Sequence, residues 1–135
     1  MGSQQLLLIV VGVVIIGIMI AFGMFMFRDQ AAATNRDSMS TDMVQLAAVA
    51  QKYYRRPEMF GGGGSSFKGL TINSLTSKPV NANGTYTLSP AGPLPPGTQS
   101  VSIEGTGKEL GVDGVNMVKL TMTVMADSVL LVTNN

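Results

Sequence analysis

The N-terminal part of the chain is uniformly apolar. From Leu6 to Phe27 all 22 positions lack a charge, a proline or a polar side chain. As a helix this run is about 33 Å long, enough to cross a bilayer core of about 30 Å. It exceeds the about 7–15 apolar residues of a secretory signal, and it lacks the polar face of a helix in a small soluble domain. The run therefore predicts a helix that lies in a membrane or in an equally dry protein interior.

A second pattern, with helical spacing, begins after Arg28-Asp29. Apolar residues recur at steps of four, three, four and three positions, at Met39, Met43, Leu46, Ala50 and Tyr53. No glycine or proline interrupts residues 30–56. Pro57 then ends the helix, because it disfavours a helical conformation of the preceding residue and has no backbone amide to donate a hydrogen bond. We therefore expect one helix from about Gln4 to about Arg56, with an apolar stripe on its second half that packs on the rest of the chain.

The C-terminal half alternates apolar and polar residues, which is typical of strands. The predicted strands are 67–72, 85–88, 101–104, 118–124 and 129–133. Between the helix and the first of them, Gly61 to Ser66 predicts a flexible turn. An antiparallel sheet of four or five strands would bury one face against the helical stripe. The predicted fold class is α+β, a long N-terminal helix packed against a small antiparallel sheet.

These patterns divide the chain into four parts. They are a hydrophobic membrane or filament-core helix (1–28), an amphipathic helix that continues into the head (29–57), a glycine- and serine-rich linker (58–66) and a β-sheet head (67–135).

Composition narrows the chemistry that the chain can perform. The net charge of +1 gives no electrostatic case for binding nucleic acid. Cysteine and histidine are absent, which removes the usual ligands of zinc, haem and iron–sulfur clusters and the commonest catalytic acid–base. Gly105-Thr106-Gly107 and Asp113 lack the spacing of nucleotide or calcium motifs. We expect no enzyme activity, no cofactor and no metal site.

Two segments of the predicted helix are similar to a known family. The opening Met1-Gly2-Ser3-Gln4-Gln5-Leu6-Leu7-Leu8-Ile9-Val10-Val11, and the stretch from Thr34-Asn35-Arg36-Asp37 to Ala47-Ala48-Val49-Ala50-Gln51-Lys52-Tyr53-Tyr54, resemble the helix of a type IV pilin or pseudopilin. At the motif level the resemblance covers about the first 55 residues. The family's glutamate at the fifth mature position is replaced by Gln5 or Leu7, so the contact that sets subunit register must differ.

The resemblance implies processing of the N-terminus. Nothing charged precedes Leu6 except the terminal amine, whereas a signal anchor normally has a basic flank, so we expect a leader to have been removed or to be very short. Prepilin peptidase cleaves after a glycine, so Gly2 would leave Ser3 first. Alternatively, Met1 is already the processed, N-methylated residue.

The resemblance also implies assembly of the chain with copies of itself. We expect an inner-membrane subunit that prepilin peptidase and the pilus assembly machinery convert into an extracellular filament. The residues expected to pack in the filament core are Leu6, Leu7, Ile9, Val10, Val13, Val14, Ile16, Gly17, Ile20, Phe22, Met24 and Phe25. Gly12, Gly17 and Gly23 are either points of local melting or sites of close packing between helices. The alternatives are a secretion pseudopilin and a monomeric membrane-anchored binding domain.

Two further sites have open interpretations. Asn83-Gly84-Thr85 fits the N-glycosylation pattern, and Asn-Gly is also a favoured turn. The cluster Tyr53-Tyr54-Arg55-Arg56 is either a subunit contact or a helix C-terminus whose cations suit the helix dipole.

Overall fold

The molecule consists of one long helix and a small sheet that packs on the second half of that helix. The computed structural model describes residues 2–135. Helix α1 (Gly2–Arg55) is followed by a 3₁₀ turn (Glu58–Phe60) and a short helix α2 (Ile72–Leu75). The strands are β1 (Gly84–Ser89), β2 (Ser100–Leu110), β3 (Met117–Met125) and β4 (Val129–Thr133). The fold class is α+β, as predicted.

The four strands form one antiparallel meander in the order β1-β2-β3-β4. Because directly opposed residues share a face, Tyr86, Gly105 and Leu120 all point toward α1. The inner-facing side chains of β1 to β3 are buried and alternate with outer ones that are exposed or half-buried. The predicted sheet is therefore confirmed, with four strands.

The predicted helical stripe is confirmed as the helix's contribution to the core. Met39, Met43, Leu46 and Ala50 are buried, and Tyr53 is half-buried against the same cluster. Two small residues that the stripe prediction omitted, Ala32 and Ala47, are also buried in the core. The rest of the core comes from the sheet and its connections, namely Phe67, Leu70, Leu75, Tyr86, Leu88, Leu94, Val101, Ile103, Val118, Leu120, Met122 and Val124.

The predicted strand at 67–72 is wrong. Phe67 and Leu70 are both buried, at a spacing of three rather than two, and the Leu70 amide donates to the Phe67 carbonyl (3.1 Å) as in a turn. Gly69 has a left-handed φ of +73° that breaks any extended run. The segment is a turn that leads into α2 and is anchored by the buried side chains of Phe67 and Leu70.

The glycine tract differs from the flexible turn expected at 61–66, because it is an ordered cap on the end of α1. The amides of Gly63, Gly64 and Ser65 donate to helix carbonyls at Tyr53, Arg56 and Tyr54, over 2.9–3.0 Å. Carbonyls in the last turn of a helix lack their full set of intrahelical partners, and this tract supplies donors to them. Gly63 is buried, and a Cβ there would overlap the carbonyl oxygen of Ser66, so glycine is required for this close approach.

Candidate assembly surfaces

The first half of α1 is apolar and exposed, and we call its residues 6–27 the apolar rod. None of its most apolar stretch is buried against the rest of the chain, and its large side chains are 47% to 81% exposed. By length and composition, α1 is the one helix among the described residues that is apolar enough to cross a membrane. Burial of each large side chain contributes about 1.5–3 kcal/mol, so the rod as a whole favours leaving water by tens of kcal/mol.

The rod contains every residue predicted for a filament core. Leu6, Leu7, Ile9, Val10, Val13, Val14, Ile16, Ile20, Phe22, Met24 and Phe25 are all exposed. Gly12, Gly17 and Gly23 lie within the uninterrupted helix, and a Cβ on any of them would meet nothing within 4 Å. Both interpretations of these glycines, melting and close packing, stay open predictions for the single chain. Gly2 and Ser3 form the exposed start of α1, and Met1 lies outside the described residues.

Two exposed apolar side chains follow the C-terminal end of α1. Met59 and Phe60, on the 3₁₀ turn, are 92% and 73% exposed. The turn is held by the Phe60 amide donating to the Pro57 carbonyl (3.0 Å) and the Gly61 amide donating to the Glu58 carbonyl (3.0 Å). The pair was not apparent from the sequence, because two adjacent apolar residues carry no periodic signal. We call Met59 and Phe60 the tip.

The tyrosines of the 53–56 cluster contact their own head. The Tyr53 hydroxyl donates to the Lys68 carbonyl (2.6 Å), and the Tyr54 hydroxyl donates to Gln99 Oε1 (2.7 Å). The Tyr54 ring also packs against Phe67, with 5.0 Å between ring centroids. These contacts support a structural role for the aromatic half of the cluster at the helix C-terminus.

The basic half of that cluster lies on the surface. Arg55 Nη2 donates to the Ala126 carbonyl over 3.4 Å, while Lys52 and Arg56 are exposed. The single ion pair within residues 2–135 is elsewhere and joins Lys68 to Glu58 (3.7 Å). The cations therefore suit the helix dipole and are also accessible to a second molecule.

A carboxylate on the helix ties down the loop before β1. Asp42 Oδ2 accepts hydrogen bonds from Asn81 Nδ2 (2.9 Å), Asn83 Nδ2 (2.7 Å) and the Tyr86 hydroxyl (2.7 Å). Burial acts to raise the pKa of Asp42, but the hydrogen bonds outweigh it and hold the pKa below the ordinary 3.8. Burial, together with Asp42, raises the pKa of Tyr86 well above the ordinary 10.0. The site was not apparent from the sequence, since Asp42 is 39 to 44 positions from its three partners.

The Asp42 site bears on the predicted glycosylation of Asn83. Asn83 is half-buried, and its Nδ2 atom, which would carry a sugar, already donates to the carboxylate. Asn81 Oδ1 accepts the amides of Asn83 (2.8 Å) and Gly84 (3.1 Å), which forms the local turn. The arrangement favours the turn interpretation of Asn83-Gly84 over the glycosylation interpretation.

The last strand adds a second apolar surface to the head. All five residues of β4 are exposed, including Val129, Leu130, Leu131 and Val132. Leu131 pairs with the buried Met122 on the same face yet is 39% exposed, because α1 packs mainly on β2 and β3 and not on β4. The sequence predicted this strand as the return of the chain after the turn at Asp127-Ser128, and it did not predict that both faces of the strand are exposed.

The loop between β2 and β3 is fixed by Asp113. Its carboxylate accepts the amides of Val115 (3.0 Å) and Asn116 (3.0 Å) and the Asn116 side-chain amide (2.7 Å). These hydrogen bonds hold the pKa of Asp113 well below its usual range. Within residues 2–135, no group of three His, Cys, Asp or Glu side chains is placed to hold a metal ion.

The fold and surfaces define an α+β protein with one membrane-length apolar helix and a compact β head. Comparison with models of known protein families, with curated proteins and with solved structures gives no match.

Proposed function

We propose that the chain is a structural subunit that polymerises into an extracellular, type IV pilus-like helical filament. One observation carries the proposal: a single continuous helix has an apolar half exposed on all sides and a second half that packs along one face against a compact head. Before assembly, the lipid of the membrane surrounds the apolar half of this helix. Outside the membrane its apolar half requires an equally dry surrounding, which further copies of the same helix supply.

The head is suited to the outer layer of such a filament. The outer face of its sheet carries hydroxyl side chains such as Thr85, Thr87, Thr106, Thr121 and Thr123, which are exposed or half-buried. The apolar rod would then form the filament core, and the assembly machinery would supply the energy of extraction from the inner membrane.

Shearing tests this proposal directly. Cells that make the chain are sheared, and the supernatant is analysed by electron microscopy and gel electrophoresis. Thin filaments composed of this 14.2 kDa chain are the expected result. Recovery of the chain in the membrane fraction alone, with no filaments in the supernatant, would contradict the proposal and favour a monomeric anchored domain.

Mass spectrometry of the N-terminal peptide tests the proposed processing. A methylated terminus at Met1 or Ser3 is expected, and an intact basic leader on the chain in filaments would argue against the pilin class.

A further inference from the structure

We propose that the loop between β2 and β3 inserts into the headgroup layer of the membrane that holds the apolar rod before assembly. We call residues 111–116 the β2–β3 loop. The inference rests on the membrane-inserted stage of the proposed function and gives the head its own contact with lipid. The contact is released with the rod on assembly, so it is not part of the packing between subunits.

The hairpin of β2 and β3 runs along α1 toward the apolar rod. In β2, Gly107 lies so close to the helix that a Cβ on it would overlap Asn35 Oδ1. In the loop, a Cβ on Gly114 would overlap Arg28 Nη2. Arg28 is the first residue after the rod, so the β2–β3 loop reaches the level at which the rod ends.

A second contact fixes the direction of the loop. Arg36 Nε donates to the Asn135 carbonyl (3.1 Å). Asn135 Nδ2 in turn donates to the carbonyls of Asn116 and Met117, at 3.3 Å each. The base of the loop is therefore level with Arg36, and its tip is level with Arg28, about 12 Å closer to the rod. The loop points toward the end of the rod.

The position of Arg28 sets the depth of this loop in a bilayer. The rod is about 33 Å long and the hydrocarbon core is about 30 Å thick, so the two ends of the rod coincide with the two faces of the core. The headgroup layers add about 5–8 Å on each side. A loop that contacts Arg28 therefore lies within the headgroup layer.

The loop exposes apolar side chains at this depth. Val112 and Val115 are 75% and 78% exposed. Leu110 and Met117, which are paired at the end of the hairpin, are also exposed. Apolar side chains gain free energy when they leave water for the boundary between headgroups and acyl chains. The four side chains therefore favour contact with the lipid that surrounds the end of the rod.

The backbone of the loop is prepared for a surrounding with little water. The Gly111 amide donates to the Asn116 carbonyl (2.7 Å), and the Gly114 amide donates to the Gly111 carbonyl (3.0 Å). The amides of Val115 and Asn116 donate to Asp113 Oδ1. Because these donors already have partners, moving the loop out of water costs less. The same hydrogen bonds hold the loop in shape, so its insertion requires little ordering.

The charges near the loop do not select an anionic lipid. The cations Arg28 and Lys108 are accompanied by the anions Asp29, Glu109 and Asp113, all at exposed positions. The proposed contact therefore depends on the apolar side chains, and vesicles of zwitterionic phosphatidylcholine are a sufficient probe.

Spin labelling tests the contact, since the chain has no cysteine. Val115→Cys and the control Val129→Cys are labelled and reconstituted separately into phosphatidylcholine vesicles at low protein density, with a water-soluble nickel chelate on both sides. Val129 is next to Ser128, whose carbonyl accepts from Gln51 Nε2 (3.4 Å), so the control lies at the level of Gln51. That level is about 35 Å along the helix from Arg28. The ratio of oxygen collisions to chelate collisions should be severalfold higher for the label at Val115 than for the label at Val129.

Two results of this measurement would overturn the proposal. Equal collision ratios at Val115 and Val129 would show that the loop stays in water. A ratio at Val115 that rises with protein density would show that a second copy, and not lipid, covers the loop.

A third label separates this proposal from the proposed function. Ile16→Cys, in the middle of the rod, should give the highest collision ratio of the three. A deep label at Ile16 together with a water-exposed label at Val115 would remove the loop contact alone. A water-exposed label at Ile16 would contradict the membrane-inserted stage, and both proposals would fail.

A charge on the loop tests whether its apolar side chains hold it in the membrane. In the chain labelled at Val112→Cys, adding Val115→Asp should lower the collision ratio, while the apolar replacement Val115→Ile should leave it unchanged. An unchanged ratio in the Val115→Asp chain would show that α1 alone sets the position of the loop, and would overturn the proposal.

Discussion

Met39 Cε lies only 2.8 Å from the position that a Cβ on Gly105 would occupy. Met43 Sδ approaches the same position at 3.1 Å, so two helix side chains fill the space that a strand residue leaves empty. A glycine in a strand often marks such an approach of another element. The helix thereby packs closely against β2, which has a glycine at the centre of the interface.

Filling that space should destabilise the head. Gly105→Val would force Met39 and Met43 out of their positions, and overpacking of this kind costs about 1–3 kcal/mol. The free energy of unfolding of the detergent-solubilised chain, from denaturant titration, measures this cost. Thr106→Val is the matched control, since Thr106 is the next residue and points outward. Equal stability of the two variants would show that the helix does not depend on this close approach.

Much of the fold follows from local periodicity in the sequence. The four-three spacing from Met39 to Tyr53 predicted the buried face of α1, and the alternation in 118–124 predicted β3. The prediction for β2 ended at Glu104, whereas the strand continues to Leu110. Gly105 and Gly107 weaken any local preference for a strand, and β2 persists there because helix side chains pack on them.

The sequence predicted a candidate surface only where amino-acid composition alone identifies it. The run from Leu6 to Phe27 is apolar at every position, so its exposure on the single chain could be predicted without knowledge of the tertiary structure. Exposure of Met59 and Phe60 instead depends on how the glycine cap packs against the last turn of α1. The role of Asp42 depends on partners about 40 positions away that the fold brings together.

Asp42 should make the stability of the head depend on pH at both extremes. A carboxyl with a lowered pKa contributes stability that is present above its unfolded value near 3.8 and is lost as the pH falls further. Tyr86, with a raised pKa, contributes stability that is present below pH 10.0 and is lost at higher pH. We expect the melting temperature of the solubilised chain to decline in both ranges.

Substitution of Asp42 tests the cause of this pH dependence. Asp42→Asn should reduce the acid decline, to which Asp113 also contributes, and weaken the alkaline one, because the charge that favours a protonated Tyr86 is gone. Asp127→Asn, in the exposed turn before β4, is the control and should leave the alkaline decline unchanged. If the pH profile of Asp42→Asn follows that of the wild type, other groups govern the dependence.

The cap on α1 should tolerate substitution at Ser65 and not at Gly63, two residues earlier. Gly63→Ala places a methyl group against the Ser66 carbonyl and 3.1 Å from Tyr53 Cε1, and we expect a loss of about 1–3 kcal/mol. Ser65 has a left-handed φ of +62°, so Ser65→Gly relieves strain and should be neutral or stabilising by about 1 kcal/mol. Thermal unfolding of both variants measures the difference. Similar losses in the two would indicate that the cap relaxes freely.

A single charge in the middle of the rod should stop assembly while the head still folds. Gly17 lies near the centre of the apolar run, and a carboxylate there costs about 2.5–3.5 kcal/mol on insertion into a membrane and several kcal/mol in a dry interface without a partner. The first cost is small beside the tens of kcal/mol that favour membrane insertion of the whole rod, so the chain stays anchored. In an assembly the second cost recurs at every subunit. We therefore expect Gly17→Asp to appear in the membrane fraction and to be absent from sheared filaments. Val112→Asp adds the same charge to an exposed head loop and should assemble normally. Normal filaments from Gly17→Asp would show that the apolar rod does not form a dry, packed core.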